Sequence, residues 1–237
     1  MLPLLLRVRP VSSIPVITVD GPSGSGKGTL CQRLANALGW HLLDSGALYR
    51  LVAYAALQQG IDFGHEAALA AMARTLPVRF EGDEAIEGIQ IFLAGANITT
   101  LLRTEEIGGM ASVVAAHPMV RTALLGLQRD FQQLPGLVAD GRDMGTVIFP
   151  EAPLKFFLEA SPRARSLRRF NQLQNLQINV SLDTLFDEMV ERDHRDRTRA
   201  VAPLQPAADA IVIDTDNLNI MQVFETVWAA VPAVWKK

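Results

Sequence analysis

The chain has 237 residues, 49% hydrophobic and 20% charged, with a formal net charge of −3 at pH 7. That length and apolar share exclude a disordered chain and suffice for one large core with an insert, while no apolar run approaches the ~18 residues that cross a bilayer. The acidic balance argues against holding nucleic acid through its phosphates, and the single cysteine, Cys31, leaves neither a pair to cross-link nor a Cys/His cluster for zinc.

Residues 1–13 show no sustained period and read as a tail; Leu4-Leu5-Leu6 is shorter than the ~7-residue apolar core of a signal peptide, so a cytoplasmic chain is expected. Pro15 to Asp20 is a β-branched run ending in an acid, followed at once by Gly21-Pro22-Ser23-Gly24-Ser25-Gly26-Lys27-Gly28-Thr29. Leu30, Leu34 and Leu38 then recur at helical spacing up to Gly39. A second buried strand is expected over residues 40–43, ending at Asp44, with Ser45 capping the next helix.

An alanine-rich helix is expected over residues 62–76. The period then changes: Pro77-Val78-Arg79-Phe80 and Gln90-Ile91-Phe92-Leu93 alternate like half-exposed antiparallel strands, which marks an inserted subdomain. Helical patterning returns at Thr104, pauses at His117-Pro118 and stops before Pro135-Gly136. Strands are expected at residues 137–140, 155–158 and 210–214. Helices open at Ser161-Pro162 and Ser181, and a last one runs over residues 220–231. Strands alternating with helices give an α/β fold with a five-stranded parallel sheet covered on both faces.

The glycine loop carries the strongest signal. Small residues between a strand and a helix let several backbone N–H groups converge on one anion, the helix N-terminus adds partial positive charge, and Lys27 completes a phosphate cradle. The strict pattern places Ser or Thr directly after the lysine; here Gly28 intervenes before Thr29, the candidate magnesium hydroxyl. The dinucleotide pattern fails, because its third small residue would fall at Thr29. Asp140 ends an apolar strand as a magnesium-holding acid does, and Asp140-Gly141-Arg142-Asp143 gathers charges at the carboxyl edge of a parallel sheet, where such sheets bind ligands.

Eighteen of the 22 cations are arginine, and eight lie between Arg163 and Arg199. The guanidinium fork matches phosphate oxygens two at a time. On helices, Arg165 and Arg169 share a face, as do Arg192 and Asp196, and such faces hold phosphates or simply stay solvated. Asp62-Phe63-Gly64 and His194-Arg195-Asp196 spell protein-kinase fragments in the wrong order, with Val201 where the signature needs Asn. No guanine-reading Asn/Thr-Lys-x-Asp string occurs, which argues against a GTPase switch.

Five strings carry a resemblance: residues 20–29, Leu43-Asp44-Ser45-Gly46-Ala47-Leu48-Tyr49-Arg50, residues 139–146, residues 191–199 and residues 208–214. From about Pro15 to Val231 the chain resembles the bacterial cytidylate kinases, of the nucleoside monophosphate kinase family, whose loops carry the Gly-Lys-Gly-Thr variant. The resemblance implies an adenylate-kinase-like three-layer P-loop core (residues 14–61 and 104–237), an inserted monophosphate-binding subdomain (residues 62–103) and a short lid near residues 163–180. It implies transfer of the γ-phosphoryl of ATP to CMP or dCMP with Mg²⁺, by a monomer that needs neither nucleic acid nor membrane. ATP would lie on Gly21 to Thr29. Ser45, Arg50, Arg142 and Arg199 would meet the acceptor phosphate, Arg192 and Asp196 the sugar, and Ser112, Arg121 and Asp143 the cytosine. Lys27, Arg142, Arg199 and Asp140 would be catalytic, with Thr29 and Asp140 nearest the metal.

Overall fold

The computed structural model describes residues 14–82, 89–175 and 177–236; the expected tail over residues 1–13 and the turn at Asp83 and Gly88 lie outside them. In chain order the first half runs β1 (Val16–Asp20), α1 (Lys27–Leu38), β2 (His41–Asp44), α2 (Ser45–Gln59), α3 (Glu66–Thr75), β3 (Val78–Gly82), β4 (Ile89–Leu93), β5 (Ala96–Asn97) and α4 (Thr99–Leu102). The second half runs α5 (Glu105–Val114), α6 (Pro118–Asp130), β6 (Leu137–Gly141), a π-turn (Met144–Ile148), β7 (Leu154–Glu159), α7 (Pro162–Asn175), α8 (Leu182–Thr198), β8 (Ile211–Asp214) and α9 (Ile220–Ala230).

The main sheet is parallel with strand order β2-β6-β1-β7-β8. β1 lies at its centre, and all five of its residues are buried because helices cover both faces. Alternation along the strands separates two cores. Val16, Leu137 and Ala139 face α2, α5 and α6, while Ile17, Val19 and Val138 face α1 and α9. Leu30 and Leu34 of α1 are 0% exposed, so each contributes roughly 1.5–3 kcal/mol of burial. The chain builds β2 and β6 to one side of β1 and β7 and β8 to the other, and such a switch leaves a crevice at the strands' carboxyl ends.

β3, β4 and β5 form a separate antiparallel sheet, with Val78 opposite Leu93. Two local expectations are corrected. Asp44, not Ser45, caps α2: its Oδ1 accepts from Ala47 N at 3.1 Å, because its extended backbone aims the carboxylate at the free amides. The alanine-rich helix begins at Glu66 rather than Asp62, since Asp62 Oδ1 accepts from Gly64 N at 2.6 Å and spends those residues on a turn.

Candidate active site

Between β1 and α1 the chain must turn sharply beside β7. A Cβ at Gly21, φ 147°, would lie 2.3 Å from the Leu158 carbonyl oxygen, so no larger residue fits. Gly24 (φ 76°) and Gly26 (φ 93°) take left-handed backbone conformations open to glycine at little cost. α1 starts at Lys27 with no side-chain cap, which leaves its first amides for an anion. Lys27 Nζ folds back onto the loop, donating to Pro22 O at 2.7 Å and to Ser25 Oγ at 3.4 Å. Burial first, then the Arg142 charge, pushes its ammonium well below the usual lysine range, and burial pushes the neighbouring Asp140 carboxyl up.

The loop forms one wall of a cleft of ≈ 490 Å³, within the range of nucleotide-sized pockets. Lys27, Gly28 and Thr29 line it together with Asp140, Arg142 and Asp143 from the β6 end, Ser45 and Arg50 from α2, Ser112 from α5, and Arg192, Asp196 and Arg199 from α8 and its C-cap. Fifteen predicted site residues thus meet in one space, counting Ser23, Gly24 and Gly26. Gly21, Pro22, Ser25 and Arg121 do not line it; Pro22 and Ser25 hold the Lys27 ammonium, and Arg121 holds Asp143.

The charges are paired unevenly. Arg142 Nε donates to Asp196 Oδ2 at 3.0 Å, and Ser112 Oγ to Asp196 Oδ1 at 3.4 Å. Burial alone would raise the Asp196 pKa, but Arg142 and Arg192 outweigh it and hold the carboxyl low. Arg121 ion-pairs with Asp143 Oδ2 and donates to Ala115 O at 3.2 Å, while Arg199 reaches Asp143 Oδ1 at 3.5 Å. Arg50 and Arg192 differ, because each buries its Nε without a hydrogen-bond partner. Burial, then the charges of Arg142 and Arg50, lowers the Arg192 pKa to about 10. Like charges held this close in the free protein form a site for an anion.

Arg165 and Arg169, expected to share a face that either holds phosphates or stays solvated, both line the cleft, but Arg165 is not solvated. It is 1% exposed, donating to Ala160 O at 2.9 Å and Ser23 O at 2.8 Å and forming a two-armed pair with Asp193. Its fork is spent on tying the loop to α7 and α8. Arg169 pairs instead with Glu105. Sequence reasoning missed Asp20, whose carboxylate accepts the distant amides of Met144 and Gly145, Asp44, which serves a local amide, and Asp193, which pairs with Arg165; only their places at strand ends or inside charged runs hint at them.

Residues 17–233 match the family described as cytidylate kinase. A cytidylate kinase of Aeromonas hydrophila is 54% identical over 215 residues, 91% of this chain and 93% of the relative. That of Klebsiella pneumoniae is 55% identical over 214 residues, 90% and 93% respectively. That of Escherichia coli O1:K1 is 54% identical over 211 residues, 89% and 92%.

Proposed function

The chain belongs to the cytidylate kinase family, and from that premise we propose how its cleft works as a phosphotransferase. The ATP phosphates lie on Gly21 to Thr29, CMP or dCMP lies against the arginines opposite, and the γ-phosphoryl passes between them to give ADP and CDP or dCDP. One observation carries this reading: Arg50 and Arg192, half-buried, each bury an Nε that has no hydrogen-bond partner, and they line the same cleft as Lys27 and Arg142.

The acceptor needs no base, because a phosphate monoester with a second pKa of roughly 6 is already an anion at neutral pH. The obstacle is repulsion between two polyanions. Lys27, Arg142 and Arg199 spread positive charge over the transferring group, and the fixed loop aligns the attacking oxygen. Asp143, held by Arg121 and Arg199, presents an acceptor for the exocyclic amine of cytosine and repels the O4 of uracil. Arg192 and Asp196 hold the sugar. Residues 62–103 and the lid near residues 163–180 close over the nucleotides and exclude water.

Thr29 and Asp140 fit a magnesium ion that arrives with ATP. Asp140 lines the cleft beside the loop, its Oδ2 3.6 Å from where a Gly28 Cβ would stand. Among the described residues no group of three or more His, Cys, Asp or Glu is placed to hold a metal, and Mg²⁺ bound through phosphates and water asks for only one or two carboxylates. When bound it neutralises β- and γ-phosphate charge. No single described helix is long and apolar enough to cross a membrane; the protein acts as a cytoplasmic monomer on free nucleotides.

A coupled ADP-release assay with ATP, Mg²⁺ and each of CMP, dCMP, UMP, AMP and GMP tests this. Turnover led by CMP and dCMP is expected. A lead for another monophosphate reassigns the acceptor, and CMP-independent hydrolysis of GTP replaces the reading.

A further inference from the structure

Asp20 ends the central strand, is 4% exposed and does not line the cleft. Its carboxylate nevertheless reaches across 124 and 125 residues of sequence, accepting Met144 N on Oδ1 and Gly145 N on Oδ2, both at 2.8 Å. Those are the first two amides of the π-turn Met144–Ile148, which has no side-chain cap at its own N-cap, Asp143. The turn closes on the Asp143 carbonyl, which accepts from Val147 N at 2.9 Å and Ile148 N at 3.2 Å. The two residues just before it are Arg142 and Asp143, the phosphate and base contacts of the reading above.

The backbone of Asp20 lies opposite Gly141 in the β1–β6 register and continues directly into Gly21. One residue therefore opens the ATP loop with its main chain and grips the acceptor-reading segment with its side chain. Holding a carboxyl there is expensive: burial, helped by the charge of Asp143, pushes its pKa up to about 7 against the pull of both amides and Lys27.

We propose that Asp20 is a positioning residue for acceptor recognition, fixing Arg142 and Asp143 toward the monophosphate through Met144 and Gly145. This rests on the phosphotransfer reading. The carboxylate matches a pair of adjacent N–H donors, whereas an amide of the same shape would turn one N–H against another.

The test is steady-state kinetics of Asp20→Asn, with CMP, UMP and ATP varied separately. The KM for CMP is expected to rise about ten-fold, the scale of one lost buried hydrogen bond. The CMP-over-UMP preference falls with it, while the KM for ATP stays within about two-fold. An unchanged CMP KM, or CMP and ATP constants rising together, overturns the proposal, since a merely structural residue lowers the melting temperature without selecting one substrate. If Asp20→Asn does not fold, Gly145→Ala approaches the same bond from the other side. Its new Cβ would stand 2.9 Å from Thr18 Oγ1 and 3.4 Å from Asp20 Oδ2, and the same split is expected. Failure of both variants to fold makes Asp20 a folding residue and overturns the proposal. A parent enzyme that does not phosphorylate CMP sinks the functional reading itself, whereas a competent parent with unchanged variants sinks only this one.

Discussion

The two halves of the cleft are built on opposite plans. The half proposed for the donor is one continuous segment, Gly21 to Thr29, offering open backbone amides and a single lysine. The half proposed for the acceptor is assembled from side chains on α2, α5, the β6 end and α8, residues that meet only in the folded chain. Backbone amides at a helix start can stand open to a ligand without distorting the fold. Guanidinium groups drawn out of water must be matched by carboxylates or left strained, and this half holds both kinds: Arg142 is matched by Asp196, while Arg50 and Arg192 have bare Nε atoms.

Breaking the donor half should cost the most. Lys27→Ala is expected to lower kcat/KM for CMP phosphorylation about 10³-fold, the upper scale for removing one charge-stabilising donor from a closed site. Its urea midpoint should hold or rise, because the lysine is bonded to its own loop and burial works against its charge. Activity within a few-fold of the parent would mean the loop holds no transferring phosphate.

The contrast between matched and unmatched arginines is sharpened by giving two of them the same substitution. Arg165→Met strips Asp193 and the Ser23 and Ala160 carbonyls of their partner, a broken buried pair that costs about 3–5 kcal/mol in urea unfolding. Arg192→Met removes a charge that repels Arg50 and Arg142. The free protein should keep or gain stability, while the upward shift in melting temperature caused by CMP shrinks. Equal losses from both substitutions would erase the distinction between anchoring and ligand-holding arginines.

That contrast also explains what could be read in the chain beforehand. The strands of the main sheet are legible because parallel, twice-covered strands read as short apolar runs ending in acids, as in residues 16–20 and 137–140. The glycine loop was legible because its chemistry is local. That Arg192 leaves its Nε unpaired while the fork of Arg165 is spent is not legible, since both lie in charged helices at similar spacing and their difference depends on Asp193 and Ser23 meeting across the fold. The π-turn was equally hidden, because Asp20 fixes it from the far end of the sequence. The cap of α2 is ambiguous in sequence for a smaller reason: Asp44 and Ser45 are both good caps, and only backbone conformation decides between them.

The smallest expected effect lies in the pH dependence of stability, and it links the two halves. Asp20 has its carboxyl raised from 3.8 to about 7 in the folded chain, first by burial. Between those values the native state keeps a proton that the unfolded chain has released. Its contribution to stability is therefore whole below about pH 4 and lost as pH rises through about 7, at up to roughly 1.4 kcal/mol per pH unit. Lys27 runs the other way. Burial lowers its pKa, so its contribution is present above the unfolded value of about 10.4 and lost as pH falls through the folded one. Both trends make the unliganded cleft least stable near neutrality, where both groups carry charge away from water. Urea unfolding of the parent and of Asp20→Asn at pH 5, 6, 7 and 8 isolates the Asp20 part. The stability of the parent relative to the variant should decline from pH 5 to 7 and level off by 8, and curves that stay parallel throughout would show that the strand-end carboxyl bears no such load.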